Sequence, residues 1–227
     1  MNLNLLYWVL FIGVAVLSYI VQFSLQRKFS KYSRIPVNGG LTGREVAERM
    51  LASHGIHDVT VTSIKGSLTD NYNPQTKTLN LSESVYGHCS VAAAAVAAHE
   101  CGHAVQHAKG YGPLRLRTAM VPVVSFCSKA VTWVLLAGML LVNVFPKLLL
   151  VGIAMFAMTT LFSFVTLPVE INASRRALVW LNGSLITDSS NHAQAESALR
   201  AAAYTYVVAA LSSLATLIYY IMIGNRR

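Results

Sequence analysis

The chain has 227 residues, of which 54% are hydrophobic and only 12% are charged. Soluble domains carry about a quarter charged residues, so this composition and the mean hydropathy of +0.50 exclude a disordered chain, a collagen-like chain and an ordinary soluble enzyme. Three cysteines without a CxxC pair fit a reducing compartment better than a disulfide framework. The composition predicts a polytopic membrane protein with one modest soluble portion.

Four apolar stretches are long enough to cross a bilayer, which takes about 20 helical residues. In chain order they are residues 5–23, a span within 120–145, residues 148–167 and residues 201–223. The residues before the first stretch carry no charged side chain, and no small-residue cleavage site follows it. We therefore expect a membrane anchor there and not a cleaved signal peptide.

Basic residues predict how these spans are oriented. Residues 27–118 contain eleven Lys and Arg and residues 169–200 contain three, and the positive-inside rule places such segments in the cytosol. The predicted organisation has five parts: a first transmembrane helix (1–26), a cytosolic portion (27–118), a transmembrane hairpin (119–168), a second cytosolic segment (169–200), and a last transmembrane helix with the C-terminus (201–227).

The first cytosolic portion opens with a predicted helix over residues 41–54. Thr42 is a suitable N-cap, and Glu45 three residues later completes a capping box. Gly55 is a candidate for the C-terminal cap.

Two predicted strands and a second helix follow. Residues 59–64 alternate and are β-branched, residues 69–74 are rich in turn formers, and residues 76–82 resemble a second strand. Residues 90–107 are rich in alanine and predict a long helix. The expected fold class is therefore mainly α, with four transmembrane helices and a small zincin-like α+β cytosolic portion.

The second helix contains the motif HExxH, formed by His99, Glu100 and His103. At about 100° per residue the two histidines lie about 40° apart on one face and one turn apart along the axis, so both imidazoles can bind one zinc ion. Glu100 lies beside that face, where it can hold a water molecule next to the metal. The alternative is a polar cluster between helices that needs no metal.

A catalytic zinc site needs a third protein ligand. Glu170 is the best candidate, because it directly follows the third apolar stretch on the side predicted for the HExxH helix. Glu83 and Glu196 are rivals in polar surroundings. His107 continues the histidine spacing but lies about 12 Å along the axis from His99, so we expect it at the rim of the site.

Further residues are candidates for supporting roles. Ser174, one turn after the candidate ligand on the same segment, can orient a ligand through a hydrogen bond. Arg175 and Arg176 either anchor anionic lipid, or one of them stabilises an oxyanion. The strand Thr78–Leu81, centred on Leu79, is expected to pair with an extended substrate backbone.

Several segments together resemble a known family. The chain resembles the YugP-type neutral zinc metallopeptidases of bacterial membranes. The resemblance lies in VAAHECGHAVQH, followed by two spans and then LPVEINASRRAL, and in the segments GLTGREVAERML earlier and LRAAAYTYVVAAL later. That family is similar in layout to HtpX-type membrane proteases. The resemblance implies one Zn²⁺ per chain on His99, His103 and Glu170, with Glu100 as catalytic base. Asn172 stands where we expect relatives to carry Asp.

The sequence thus predicts a multi-pass zinc endopeptidase of the bacterial cell (inner) membrane, gluzincin-like, with its active site at the cytosolic membrane surface. Its expected substrates are membrane-associated polypeptides, and its expected role is membrane-protein quality control. The alternative is a catalytically idle zinc-binding scaffold, although such structural sites usually have four ligands. No span pair resembles the inverted repeat of a transporter, and basic residues at span ends do not favour nucleic-acid binding.

Overall fold

A computed structural model describes residues 3–225 of the chain. Seven α-helices and three strands are present in that range, with a short 3-10 turn at Asn38–Gly40. They are α1 (Leu3–Tyr32), α2 (Gly43–Ser53), β1 (Thr60–Ile64), β2 (Asn71–Asn73), β3 (Thr78–Ser82), α3 (Glu83–Tyr86), α4 (Val91–Ala108), α5 (Gly112–Leu140), α6 (Pro146–Gly183) and α7 (His192–Asn225). The predicted class, mainly helical with a small sheet, is confirmed.

Helices α1, α5, α6 and α7 are long and apolar enough to cross a membrane. Each contains one of the four apolar stretches predicted from the sequence. The helices extend beyond those stretches, most clearly α6, whose 38 residues continue through Glu170. The sequence-predicted ligand therefore lies on the same helix as the third apolar stretch.

The chain divides into two compact units. The first contains residues up to 20, residues 115–167 and residues from 205 onward. Its helices pack closely at glycines: a Cβ atom on Gly138 would lie 2.7 Å from the Cα of Leu149, and one on Gly152 would lie 2.8 Å from the side chain of Leu135. Hydroxyl groups on α6, including that of Thr160, donate to carbonyls of their own helix.

The second unit contains residues 21–114 and 168–204. Its sheet has the order β1–β3–β2, with β1 parallel and β2 antiparallel to β3. The sequence predicted only a turn where β2 lies. That prediction was wrong because β2 is three residues long and contains asparagines, which strands disfavour, and a side-chain bond from Asn80 Nδ2 to Asn71 Oδ1 (2.9 Å) supports it instead.

The position of β3 also corrects an expectation. Register pairs link it to β1 from Thr78 to Ser82 and to β2 from Thr78 to Asn80, and Leu79 is fully buried. Both edges are occupied from Thr78 to Asn80, which includes Leu79, and Leu81 is paired on the β1 side. A substrate strand cannot pair with Thr78–Leu81 unless it displaces a neighbour, so the predicted role of Leu79 in substrate pairing was wrong.

Helices α2 and α4 pack together over the hydrophobic core of this unit, with Val46 and Met50 fully buried. The predicted capping box of α2 is present, and Gly55 follows the helix with a φ of 69°. The side chain of Ser90 caps α4 by accepting from the backbone N–H of Ala93. Both helices therefore begin where their side chains predict.

Candidate metal centre

Helix α4 presents His99 and His103 one turn apart, with ring centroids separated by 4.9 Å in an edge-to-face arrangement. Helix α6 supplies Glu170, whose Oε2 lies 3.3 Å from the Nε2 of His99 and 3.5 Å from the Nε2 of His103. Among the described residues, these three side chains form a group whose ligand atoms all lie within 4.8 Å of one another. The structure therefore brings together the three ligands predicted from the sequence.

A glycine inside the motif allows the two helices to come this close. Gly102 faces the backbone of α6, and a Cβ atom at this position would lie 2.7 Å from the carbonyl oxygen of Ala173. Side-chain Cβ atoms do not approach backbone at that distance. The close contact places Glu170, three residues before Ala173, within reach of both imidazoles.

Glu100 is buried beside the three ligands, with 8% of its surface exposed. Burial raises the pKa of its carboxyl group, although charge on His99 and His103 lowers it in part. For His103, burial lowers the pKa, but the neighbouring carboxylates of Glu170 and Glu100 outweigh that effect and raise it. A carboxylate with increased proton affinity beside a candidate metal is suited to act as a general base.

Each histidine has a partner on its other ring nitrogen. Ser174 Oγ lies 3.0 Å from His99 Nδ1, as the sequence predicted. Gln106 Oε1 lies 3.1 Å from His103 Nδ1, a contact that the sequence analysis missed. Gln106 lies three residues after His103 and thus on nearly the same helix face, which is the signal that could have identified it.

His107 lies outside this group. It is exposed, and its Nδ1 lies 2.9 Å from the hydroxyl oxygen of Tyr72 on β2. The group that can hold a metal, as far as the chain is described, comprises His99, His103 and Glu170 without it. This placement agrees with the expectation that His107 is not a ligand of the same ion.

Asn172 and Arg176 lie next to the centre and are connected to it through Gln106. The Oδ1 of Asn172 accepts from Gln106 Nε2 (3.0 Å) and from Arg176 Nε (2.7 Å). Arg176 also lines a surface pocket of about 580 Å³ together with Arg175 and Trp180. On a helix Arg176 points about 120° away from Glu170, so its link to the candidate ligands is indirect, through Asn172 and Gln106 to His103.

Comparisons with known proteins identify the family of the chain. A family model described as "Putative neutral zinc metallopeptidase" matches residues 7–225. A curated relative from Bacillus subtilis (strain 168), "Putative membrane protease YugP", is 41% identical over 221 residues, which are 96% of this chain and 96% of that protein. The chain belongs to this zinc metallopeptidase family. The resemblance drawn from its motifs is confirmed, and no solved structure matches the chain.

The three clustered residues of this family member fit the zinc that the family's description implies. Zinc binds imidazole nitrogen and carboxylate oxygen at about 2.0–2.1 Å in a tetrahedral arrangement, so two atoms on one ion lie about 3.3 Å apart. The two Nε2–Oε2 distances, 3.3 and 3.5 Å, match that separation without movement of the helices. Two histidines and one glutamate also leave a fourth position open, as catalytic zinc sites do.

Proposed function

We propose that the protein is a membrane-embedded endopeptidase that binds one zinc ion per chain and hydrolyses polypeptides at the cytosolic membrane surface. The convergence of His99, His103 and Glu170, with the buried Glu100 beside them, is the observation that carries this proposal.

In this proposal some side chains hold the metal and another transfers a proton. His99, His103 and Glu170 hold zinc, which when bound polarises a carbonyl group and lowers the pKa of a coordinated water molecule. Glu100 accepts a proton from the attacking water and delivers it to the nitrogen of the leaving amine. Ser174 keeps the ring of His99 oriented through the 3.0 Å contact with its Nδ1.

Catalysis is favoured over a purely structural zinc role for two reasons. A structural site is usually closed by four protein ligands, and the cluster found in the described part of the chain has three. A structural site also has no use for a buried carboxylate such as Glu100, whose pKa is raised by burial next to the ligands. Both features are those of a metallopeptidase that needs room for water and substrate.

The proposed location follows from spacing along α6. Glu170 comes three residues after the apolar stretch 148–167, about 4.5 Å farther along the same helix. The basic residues of 27–118 and 169–200 support a cytosolic location for both segments under the positive-inside rule. A site so near the end of an apolar helix favours membrane proteins, misassembled spans and segments emerging from the bilayer as substrates, and thus a role in membrane-protein quality control. Soluble folded proteins should be cut poorly.

An extended substrate would pair with an outer strand, because β3 is central. β2 is one of the two outer strands, and its Tyr72 contacts His107 on the HExxH helix. We therefore propose that the edge of β2 carries the backbone pairing that the sequence had assigned to β3.

Glu100→Gln tests the proposed function. The variant, purified in detergent, should retain zinc near one ion per chain and lose about 10²–10⁴-fold in cleavage of an unfolded casein-type substrate, because it removes proton transfer and no ligand. Wild-type protein purified in parallel is the control. Loss of zinc from the variant would show that Glu100 is a ligand. Cleavage at the wild-type rate would end the peptidase proposal.

A further inference from the structure

Gln106 is a buried polar side chain that the mechanism above leaves without a role. It is fully buried and bridges α4 and α6. Its Nε2 lies 2.8 Å from the carbonyl oxygen of Val169 and 3.0 Å from Asn172 Oδ1, and its Oε1 lies 3.1 Å from His103 Nδ1. A buried amide with all these contacts is held in one orientation.

The donors and acceptors around Gln106 fix the orientation of its amide. A backbone carbonyl can only accept, so the Gln106 atom facing Val169 must be the donor Nε2. A guanidinium can only donate, so the Asn172 atom facing Arg176 must be the acceptor Oδ1. The remaining Gln106 atom, Oε1, therefore faces His103, and because it can only accept, the Nδ1 of His103 must carry the hydrogen.

We propose that Gln106 is a positioning residue that selects the metal-binding tautomer of His103. A neutral imidazole has one nitrogen with a hydrogen and one with a lone pair. Holding the hydrogen on Nδ1 leaves the lone pair on Nε2, the atom that lies 3.5 Å from Glu170 Oε2. This inference rests on the proposed function, since it assigns a residue to the same metal site.

The other histidine is held differently. His99 Nδ1 contacts the hydroxyl of Ser174 at 3.0 Å, and a hydroxyl can donate or accept. Ser174 therefore orients the ring of His99 without selecting its tautomer. His99 is also less buried than His103, so a water molecule can take the place of the Ser174 hydroxyl when that side chain is removed. The two partners should differ in importance, which makes Ser174 a matched control for Gln106.

Zinc affinity provides the first test. Gln106→Met keeps the side-chain volume and removes every hydrogen bond, and it should weaken zinc binding about 10–100-fold in a competition titration with a chromophoric chelator. Ser174→Ala should weaken it less. Gln106→Glu, which retains an acceptor for His103 Nδ1, should bind zinc more tightly than Gln106→Met. Zinc affinity of Gln106→Met within about twofold of wild type would overturn the proposal.

The tautomer itself can be read from the unmodified protein, which removes any concern about folding of the variants. Metal-free wild type, labelled with ¹⁵N-histidine and assigned with His103→Gln, should show a hydrogen on Nδ1 of His103 at pH 8. Hydrogen on Nε2 alone would overturn the inference. If wild-type protein binds zinc but cleaves no substrate, the proposed peptidase function fails. The NMR measurement of the His103 tautomer still decides the role of Gln106 in that case.

Discussion

The close approach of Gly102 on the HExxH helix to the backbone of α6 gives a sharp structural prediction. In Gly102→Ala the new Cβ would lie 2.7 Å from the carbonyl oxygen and 3.0 Å from the Cα of Ala173, whereas ordinary contacts begin at 3.4 Å. Both neighbours are backbone atoms, so α6 must recede by about 0.4–0.7 Å. Such overpacking costs about 1–3 kcal/mol, of which the better helix propensity of alanine returns about 1 kcal/mol.

Zinc affinity should fall along with stability. Recession of α6 carries Glu170 away from both imidazoles, and the Nε2–Oε2 distances, now 3.3 and 3.5 Å, would approach 4 Å, beyond the separation of about 3.3 Å that one zinc ion allows. We expect at least about tenfold weaker binding, measured by chelator competition beside thermal unfolding. Gly183→Ala, on the same helix with nothing within 4 Å of its Cβ, is the control. Unchanged zinc affinity in Gly102→Ala would refute the reasoning.

Three further predictions concern the third ligand, the core and the membrane orientation. Glu170→Ala should lose zinc in metal analysis, because two imidazoles alone hold it weakly, whereas His107→Ala should keep it; the reverse pattern would mean that the third ligand is misassigned. Leu79→Ala should destabilise the fold by about 2–5 kcal/mol in thermal unfolding, because the side chain is fully buried, and unchanged stability would contradict its place in the core. Arg175 is exposed, so Arg175→Cys in a background without the native cysteines should react with a membrane-impermeant thiol reagent only in inside-out vesicles, and labelling from outside would invert the topology.

The local part of the site could be predicted from the sequence. The spacing of His99 and His103 within a helix is enough to place both imidazoles on one face, and the capping box that begins α2 is likewise contained in adjacent residues. Glu170 was predictable for a different reason, since few acidic residues exist in this chain and the alternation of spans assigns each to a side. These features need only periodicity and topology.

What the sequence did not reveal depends on contacts between distant segments. β2 exists because three residues, two of them asparagines, pair with β3, and no local preference indicates that strand. The central position of β3 likewise depends on β1 and β2 lying on opposite sides of it. The orientation of the Gln106 amide depends in the same way on distant residues, the carbonyl of Val169 and the side chain of Asn172.

The candidate site needs residues from both α4 and α6, so the HExxH motif alone would make a poor metal site. Helix α4 contributes His99 and His103, but α6 supplies Glu170 as the candidate third ligand and Ser174 as the partner of His99. Helix α6 also provides the carbonyl of Val169 that fixes Gln106 and, through it, the ring of His103. Each histidine is thus oriented by a group on, or anchored to, the other helix. Zinc binding must therefore be coupled to the packing of α4 against α6, because a metal that engages all three ligands also requires that packing.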